Sequence, residues 1–407
     1  MSRRTLLLIS QVYVPDPASV GQHMADAAGE LARRGWRVRV LCSARGYEDP
    51  GRRYPPRERL DGVDVRRLPL SSFGKRSMAA RLLGALCFLA QATVRGLFTR
   101  DLAAVLVTTS PPMASVAGLA VAMLRRVPVK YWVMDLNPDQ MVALGRVGPR
   151  SLAARAFDAL NRRILDRAGD VVALDRFMAE RLLRKCDLRP RLTILPPWPH
   201  QDPSVEIPHG ENPFRREHGL EGRFVVMYSG NHALSMPLDA LLGAAERLAD
   251  EARLAFLFIG GGEGKRAVEG LIAGGRGGDV RSLPYEPLPR VPYSLSAADL
   301  HVVVVGEPLV GIVHPCKIYG AMAVGRPILL LGPEECPVAE ILRKHEIGWR
   351  VPAHDVANAE RTIRGILAMP PADLAAMGRR ARAAALSSYS KRVLCTRFCD
   401  VVERGVA

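Results

Sequence analysis

Short apolar runs alternate with helical segments along the chain, and this alternation constrains the fold more than any other feature. Apolar runs at residues 5–10 and 37–42 flank a helical pattern at residues 21–34. Buried strands separated by helices form parallel sheets that helices cover. The pattern predicts five more strands and four more helices before residue 200: strands at 63–68, 103–108, 127–134, 170–173 and 192–195, and helices at 77–98, 113–124, 151–168 and 176–185.

A proline-rich stretch at residues 196–213 interrupts the alternation and predicts a stiff connection between domains. The alternation then resumes with five strands and four helices, and two more helices end the chain: strands at 224–228, 254–259, 280–283, 300–305 and 328–331, and helices at 236–248, 264–273, 289–297, 317–324, 373–386 and 391–402. The expected fold class is α/β, with two Rossmann-like, doubly wound domains facing each other across a cleft. The expected domains are residues 1–200 and 201–386, followed by a C-terminal helical segment, 387–407, packing back toward the first domain.

The basic charge is confined to the first half of the chain. Residues 1–200 contain 33 basic and 17 acidic residues, whereas residues 201–407 contain 24 of each, so the first half accounts for the net charge of +16. Such asymmetry predicts an anionic partner, either nucleic acid or a membrane surface. Because the chain has no zinc-finger pattern, RNA-binding signature or basic motif interleaved with aromatics, an anionic membrane surface is favoured and nucleic acid is not.

One predicted helix is a candidate for the membrane contact. Residues 74–100 are apolar between basic ends, and the central run at 82–90 is about half of the roughly 20 residues that a transmembrane helix needs. An interfacial helix or an ordinary core helix is therefore expected. The first apolar run is too short for a signal peptide, and the seven cysteines lack metal-ligand spacing, so a cytoplasmic protein, peripheral at the inner face of the membrane, is expected.

The segment from Val313 to Leu329 predicts a loop, a short helix and a buried strand, with Lys317 at the start of the helix. Pro315 suits the helix entry, and Gly325 suits a left-handed C-cap. Unpaired N–H groups and a lysine together favour a bound phosphate, although an ordinary corner with a surface lysine has the same pattern. His314 stands close enough in sequence to reach the same ligand, or to have a structural role.

Two strand-to-helix corners are further candidates for ligand contacts. Ser229, Gly230 and Asn231 follow a predicted strand, and the glycine would let a phosphate approach the backbone unless the segment is a plain tight turn. Gly21, Gln22 and His23 stand at the first strand-to-helix crossing and are expected to face the cleft, although His23 also fits an exposed helix start.

Asp135 ends an apolar strand at a Leu-Asn-Pro turn. A carboxylate at the rim of the cleft can hold an acceptor hydroxyl or act as a base. The alternative interpretation is a turn-forming aspartate that bonds its own backbone.

These residues carry a resemblance to the GT-B glycosyltransferases of family 4, and in particular to the colanic-acid and O-antigen enzymes of bacterial surface polysaccharide assembly. The resemblance extends over almost the whole chain and rests on the order and spacing of several modest motifs: residues 21–23, 31–38, 110–112, 132–138 with Gly145, 228–231, 258–262, 297–299, 315–319 and 321–327.

The resemblance implies a retaining enzyme that transfers a sugar from a nucleotide-diphosphate donor, with Lys317 against the donor diphosphate. It implies that Gly261, at the end of the strand at 254–259, and Tyr285 lie near the nucleotide, and it adds Ile318 to the donor-binding residues. Gly260, Gly261 and Gly262 lack the spacing of a dinucleotide-binding loop, so NAD is not expected.

The chain departs from the family pattern at two positions. Many members have two glutamates eight positions apart, whereas here Ile312 and Gly320 occupy these positions, and Glu307 is out of register. The resemblance therefore leaves the donor sugar open and admits an inactive homologue.

The expected function is glycosyl transfer, most simply from a UDP-sugar, to a lipid-linked or polysaccharide acceptor. Neither a cofactor nor a metal is expected, because no Asp-x-Asp motif is present and Lys317 can supply positive charge to the leaving diphosphate. The alternatives are a sugar-nucleotide epimerase of the same architecture and a non-catalytic protein that binds a nucleotide-sugar.

Overall fold

The computed structural model describes residues 4–16, 18–46, 51–71, 78–110, 114–200, 205–233 and 235–406. Pro111 and Pro112 of one family motif, and the basic residues Lys75 and Arg76 before the predicted apolar helix, lie outside the described residues. The chain divides into two compact units. The first runs to Pro197 and also includes Gly311–Val313 and the residues from Leu394 onward, and the second contains the remainder from Trp198.

The first unit contains an eight-stranded sheet. Its strands in chain order are β1 (Thr5–Ile9), β2 (Arg37–Ser43), β3 (Arg57–Leu60), β4 (Val63–Leu68), β5 (Leu102–Thr108), β6 (Val129–Trp132), β7 (Asp170–Ala173) and β8 (Leu192–Ile194). The order across the sheet is β3-β4-β2-β1-β5-β6-β7-β8, and only the β3–β4 pair is antiparallel among the described strands. The strand order therefore reverses between β1 and β5, and this is the topological switch point of the doubly wound sheet.

Helices connect these strands. They are α1 (Ser19–Arg33), α2 (Met78–Leu97), α3 (Ala114–Arg125), α4 (Asp139–Ala143), α5 (Leu152–Arg167) and α6 (Arg176–Lys185). The central strands β1 and β5 are buried along their full length, as expected for strands of a parallel sheet with both faces covered.

The second unit contains a six-stranded parallel sheet. Its strands are β9 (Phe224–Ser229), β10 (Leu254–Ile259), β11 (Val280–Leu283), β12 (Leu300–Val304), β13 (Ile328–Leu331) and β14 (Gly348–Val351). They lie in the order β11-β10-β9-β12-β13-β14, so the topological switch point falls between β9 and β12. Ligands of open α/β sheets bind outside the carboxyl ends of strands at such a point.

The remaining helices are α7 (Pro213–Glu217), α8 (Asp239–Arg247), α9 (Lys265–Ala273), α10 (Val291–Ser296), α11 (Lys317–Ala323), α12 (Pro337–His345), α13 (Val356–Leu367), α14 (Pro371–Ala384) and α15 (Lys391–Glu403). A π-helical turn at Ala385–Tyr389 follows α14, and short 3₁₀ turns lie at Arg189–Arg191, His209–Glu211, Leu288–Arg290 and Glu307–Leu309. The predicted α/β class with two parallel-sheet domains is confirmed.

Several elements were not predicted from the sequence. Most of β3 lies before residue 60, where no strand was predicted; it is an edge strand of alternating charged residues that pairs antiparallel with β4. The region from Pro337 to Leu367, for which no elements were predicted, forms α12, β14 and α13.

The last helix is part of the first unit from Leu394 onward. The Phe398 ring lies 4.0 Å from that of Trp132, between ring centroids, and the Arg34 guanidinium pairs with Asp400 at 2.7 Å and Glu403 at 2.6 Å. Glu403 also accepts a hydrogen bond of 2.7 Å from the Trp36 indole. The C-terminal helix therefore completes both the apolar core and the ion pairs of the first unit.

Candidate functional site

Two loops at the carboxyl ends of β9 and β10 are packed backbone to backbone. Gly230 N–H donates to the Ile259 carbonyl oxygen at 2.8 Å, and His232 N–H donates to that of Gly261 at 2.7 Å. Gly260 has φ +128°, and a Cβ there would clash with the Gly230 carbonyl. Because only glycine accepts both the positive φ and this contact, the predicted glycine run serves to bring the two loops together.

Lys317 extends from the start of α11 to the loop after β9. Its Nζ donates to the Asn231 carbonyl oxygen at 2.9 Å and lies 3.5 Å from the centroid of the Tyr228 ring. The Tyr228 hydroxyl donates to the same Asn231 carbonyl at 3.0 Å. A hydrogen bond and a cation–π contact thus hold the ammonium group in one place.

Gly230 leaves the space that the lysine occupies. It has φ +118°, and a Cβ there would lie 2.9 Å from Lys317 Cε. Burial lowers the pKa of Lys317 well below its usual value. No carboxylate forms an ion pair with this ammonium group among the described residues. An anion placed beside it would favour the charged form of the lysine.

Two residues near this lysine were not predicted from the sequence. His232 is fully buried, and neither ring nitrogen has a hydrogen-bond partner among the described residues. Burial lowers the pKa of His232 to about 4, with Lys317 and Lys265 contributing in the same direction. Lys265 donates from Nζ to the carbonyl oxygens of Gly260 at 2.7 Å and Leu283 at 2.5 Å, and so joins the ends of β10 and β11. Neither residue belongs to a pattern that a single sequence reveals.

The other predicted donor residues of the second unit occupy different environments. Tyr285 is half-exposed, and its ring edge lies 3.1 Å from where a Cβ on Gly261 would stand, so these two lie together beside the glycine loop. Ser229 ends β9 and is partly buried. Ile318 is in the apolar core, which leaves only its backbone available to a ligand.

His314 is buried and has a structural partner. Its Nε2 lies 2.7 Å from the Tyr319 hydroxyl, and the two rings are stacked with centroids 5.6 Å apart. The structural role that the sequence left open is therefore present, and a contact between His314 and the donor stays a prediction.

Asp135 follows β6 in the first unit. Its backbone forms an antiparallel bridge with Val313, its N–H donates to the Thr109 hydroxyl at 3.1 Å, and the next N–H, of Leu136, donates to the Ile312 carbonyl at 2.9 Å. The carboxylate makes no hydrogen bond or ion pair with any described residue. Burial raises the pKa of Asp135 to about 6, which is the range of a general base near neutral pH.

Gly21, Gln22 and His23 lie in the first turns of α1. A Cβ on Gly21 would lie 3.0 Å from the backbone of Tyr13, so this glycine lets α1 approach the loop after β1. His23 is buried, with Nδ1 2.8 Å from the Ser19 carbonyl oxygen, so the alternative of an exposed helix start is wrong. Gln22 is partly buried. A donor-binding role for Gly21 and an acceptor-side role for Gln22 and His23 stay predictions.

The positions of the missing glutamates differ in environment. Ile312 is buried in the first unit, and Gly320 lies inside α11. Glu307 begins an exposed 3₁₀ turn after β12. The burial of Ile312 suits an isoleucine better than a glutamate without a partner.

Comparison with known sequences identifies the class of protein. Residues 19–198 match the Glycosyl transferase 4-like domain. The chain is 25% identical to the probable glycosyltransferase WbjE of Pseudomonas aeruginosa over 274 residues, 67% of this chain and 68% of that protein. It is 24% identical to the putative colanic acid biosynthesis glycosyl transferase WcaI of Escherichia coli K12 over 328 residues, 77% of this chain and 79% of that protein.

Solved structures match the whole fold. Sucrose-phosphate synthase from Thermosynechococcus elongatus aligns with a TM-score of 0.76 at 16% identity, covering 99% of each chain. WaaG, a glycosyltransferase involved in lipopolysaccharide biosynthesis, aligns with a TM-score of 0.71 at 17% identity, covering 98% of this chain and 100% of that one. Anabaena HepE in complex with UDP and glucose aligns with a TM-score of 0.69 at 14% identity, with the same coverage. With the sequence matches, these folds identify the chain as a glycosyltransferase with the GT-B fold, similar to the family 4 enzymes over residues 19–198.

Proposed function

We propose that this glycosyltransferase transfers a sugar from a UDP-sugar, with retention of the anomeric configuration, to a lipid-linked or polysaccharide acceptor of a cell-surface glycan. The observation that carries the proposal is the Lys317 ammonium group, which the Asn231 carbonyl and the Tyr228 ring hold at the carboxyl end of β9. A nucleotide-sugar leaves as a diphosphate, and a fixed positive charge stabilises the negative charge that develops on it.

The donor assignment rests on the chemistry of the loops and on a structural neighbour. Gly230 leaves room for the Lys317 side chain, and Gly260 lets the loops after β9 and β10 meet, so that the ammonium group is held at the strand ends where it can contact a diphosphate. Anabaena HepE, which shares the fold, has been crystallised with UDP and glucose. Both observations favour a UDP-sugar as the donor.

Asp135 is the proposed acceptor-side group. A carboxylate with a pKa of about 6 and no protein partner among the described residues can accept a proton from a hydroxyl near neutral pH. The names of WcaI and WaaG refer to colanic acid and lipopolysaccharide biosynthesis, and this supports a surface glycan as the product.

The proposal requires no metal ion, because Lys317 supplies the positive charge at the leaving group. It also places the enzyme in the cytoplasm at the inner face of the cell membrane, where a lipid-linked acceptor would be presented. The +16 net charge within residues 1–200 supports this location, because anionic lipid attracts basic surfaces.

A screen of nucleotide-sugars tests the donor. The purified protein is heated with UDP, GDP and ADP and with their glucose, galactose and N-acetylhexosamine derivatives, and the unfolding temperature is measured. A ligand at 100 times its dissociation constant stabilises the fold by about 2.7 kcal/mol. We expect UDP and one or more UDP-sugars to raise the unfolding temperature. Stabilisation by GDP or ADP compounds alone would reject the UDP assignment.

The stabilising donor is next incubated with membrane lipid extract from a bacterium that makes a surface polysaccharide. We expect label from the sugar to appear in the lipid or glycan fraction, and NMR of the new linkage to show the anomeric configuration of the donor. An inverted linkage would reject retention without affecting the donor assignment.

A further inference from the structure

The helix α2 in the first unit has two opposite faces of different character. Gly84, Phe88, Ala92 and Gly96 form a line of buried residues, each four positions after the last. A Cβ on Gly96 would lie 2.6 Å from a methyl group of Val121 on α3, which shows how closely this line packs. Through this face α2 packs into the core, as a helix that covers a parallel sheet does.

The opposite face of α2 exposes a second line of apolar residues. Five large side chains on it are between 53% and 80% exposed: Leu82, Leu83, Leu86, Val94 and Phe98. Leu82, Leu86, Val94 and Phe98 are separated by multiples of four residues, which places them along one face of the helix, and Leu83 lies next to Leu82. The five form a stripe along most of the roughly 30 Å length of this 20-residue helix. We call these five residues the α2 stripe.

Neighbouring segments extend the apolar surface. Leu70, also half-exposed, lies beside the middle of α2, where its carbonyl oxygen accepts a hydrogen bond of 2.9 Å from Gln91. Met123 and Leu124, at the end of α3, are exposed beside the C-terminal end of α2, where Arg125 donates to the Thr99 carbonyl oxygen at 2.8 Å. Contiguous apolar surface of this kind marks an interaction site.

Exposed arginines lie in and beside the two helices that carry this apolar surface. Arg95, Arg100 and Arg126 are exposed, and none of them forms an ion pair with a carboxylate among the described residues. The partner of this surface must therefore be apolar in its interior and anionic at its surface.

We propose that the α2 stripe inserts into the acyl boundary of an anionic bilayer while the surrounding arginines bind the headgroups. A helix that lies in the membrane plane has this combination of an apolar face and basic flanks. No helix within the described residues is long and apolar enough to cross a membrane. A second copy of the chain fits less well, because pairing through this face would bring two basic surfaces together. The proposal rests on the membrane location given under the proposed function and assigns it to a particular surface.

The test uses the full-length protein and vesicles of equimolar phosphatidylglycerol and phosphatidylcholine, compared with vesicles of phosphatidylcholine alone. We expect the wild type to sediment with the anionic vesicles and to be released by salt. The variant Leu82→Ser/Phe98→Ser should bind at least about tenfold more weakly, because each substitution removes several buried methylene groups. Because both side chains are exposed, the variant should unfold at the wild-type temperature; Leu86→Ser/Val94→Ser repeats the test if it does not.

Two controls separate insertion from general charge attraction. The variant Ile272→Ser/Leu386→Ser removes exposed apolar side chains from the second unit and should bind vesicles as the wild type does. The variant Arg95→Gln/Arg100→Gln/Arg126→Gln should bind about 100-fold more weakly at low salt, since each basic residue near the surface contributes roughly 1 kcal/mol. A tryptophan in Phe98→Trp should show a blue shift of its fluorescence on binding only if the stripe enters the bilayer.

The proposal is overturned if the wild type ignores anionic vesicles at low salt, or if the stripe variant binds as tightly as the wild type. It is also overturned if sedimentation velocity shows a wild-type dimer that the stripe variant loses while vesicle binding is unchanged. Stabilisation by UDP, measured in parallel, should be the same in all these proteins. If UDP does not stabilise the wild type, the proposed donor is wrong, and the proposal for the membrane surface is unaffected.

Discussion

Lys317 has an unusual position for a lysine, because its ammonium group lies over an aromatic ring without a carboxylate nearby among the described residues. Burial costs the charged form free energy, which is why its pKa lies well below the usual value. A group held at this cost is a candidate for function.

Replacing Lys317 by alanine should reduce turnover by roughly 100-fold to 1000-fold, since one stabilising donor to the leaving group is lost. The variant Lys317→Met, which keeps the length of the side chain, should unfold at a higher temperature than the wild type near neutral pH. The reason is that the folded wild type has a buried ammonium group whose pKa is depressed, and the methionine variant does not. The gain in unfolding temperature should shrink at alkaline pH, where the wild-type lysine is neutral in both the folded and the unfolded state.

Steady-state kinetics with saturating donor and thermal unfolding with and without UDP measure these effects. Lys344→Met, on an exposed position of α12, is the control and should change neither. Near wild-type turnover in Lys317→Ala would mean that this lysine does not stabilise the leaving group.

Asp135 has the opposite kind of shift, since burial raises its pKa to about 6. The folded state thus binds a proton more tightly than the unfolded state, and stability should fall as pH rises from about 4 to about 6 and then level off. Asp135→Asn removes this dependence. The variant should match the wild type at pH of about 4 and be more stable above pH of about 6, by on the order of 1 to 2 kcal/mol after solvent screening.

Denaturant unfolding across this pH range checks the stability, and pH–rate profiles check the chemistry. We expect Asp135→Asn to lower turnover and to lose the acidic limb of the wild-type profile. Asp250→Asn, at an exposed position, should leave both profiles unchanged. Unaltered acceptor kinetics in Asp135→Asn would return this aspartate to a purely structural role.

At the scale of elements, the two loops after β9 and β10 are one unit of structure. Gly260→Ala should destabilise the protein by on the order of 3 kcal/mol, because it adds a clash with the Gly230 carbonyl to the strain of a positive φ. Gly275→Ala is the matched control. Gly275 also has positive φ, +64°, but no atom lies within 4 Å of a Cβ there, so the cost should be about 1 kcal/mol.

Denaturant unfolding of both variants, together with UDP titration, measures the difference. We expect only Gly260→Ala to weaken UDP binding. Equal destabilisation by the two substitutions would mean that the contact between the loops contributes little.

Most strands and helices could be predicted from the sequence, because each is a single apolar run or a single helical pattern. The strands β7, β10 and β11 have the predicted bounds. The strand β3 could not be predicted, because its Arg-Glu-Arg-Leu sequence has no apolar run. It is held to β4 by backbone pairing and by the ion pair between Glu58 and Arg67.

The candidate site was accessible from the sequence only where a residue directly follows a strand or begins a helix. Lys317 and the Ser229–Asn231 turn have such positions, and the structure brings them together through the Asn231 carbonyl. The contacts of His232 and Lys265 join residues from different strands, and a pairing of this kind has no periodicity to reveal it.

At the scale of the whole molecule, the proposal of catalysis without a metal ion has a direct test. We expect that EDTA, followed by dialysis, leaves turnover unchanged, because the Lys317 ammonium group supplies the charge at the diphosphate. The measurement is the turnover of the dialysed enzyme with and without added Mg²⁺ or Mn²⁺. Strong dependence of turnover on either ion would contradict the proposal.

The assignment of the residues from Leu394 onward to the first unit has a consequence for biosynthesis. A ribosome releases the strands of this unit long before it releases α15, so during most of translation the Trp132 ring lacks its Phe398 partner and Arg34 lacks Asp400 and Glu403. The nascent first unit therefore cannot complete its fold until α15 has left the ribosome. Until then the surface that α15 covers is accessible to chaperones and proteases, and a premature stop before α15 would leave the first unit without these contacts.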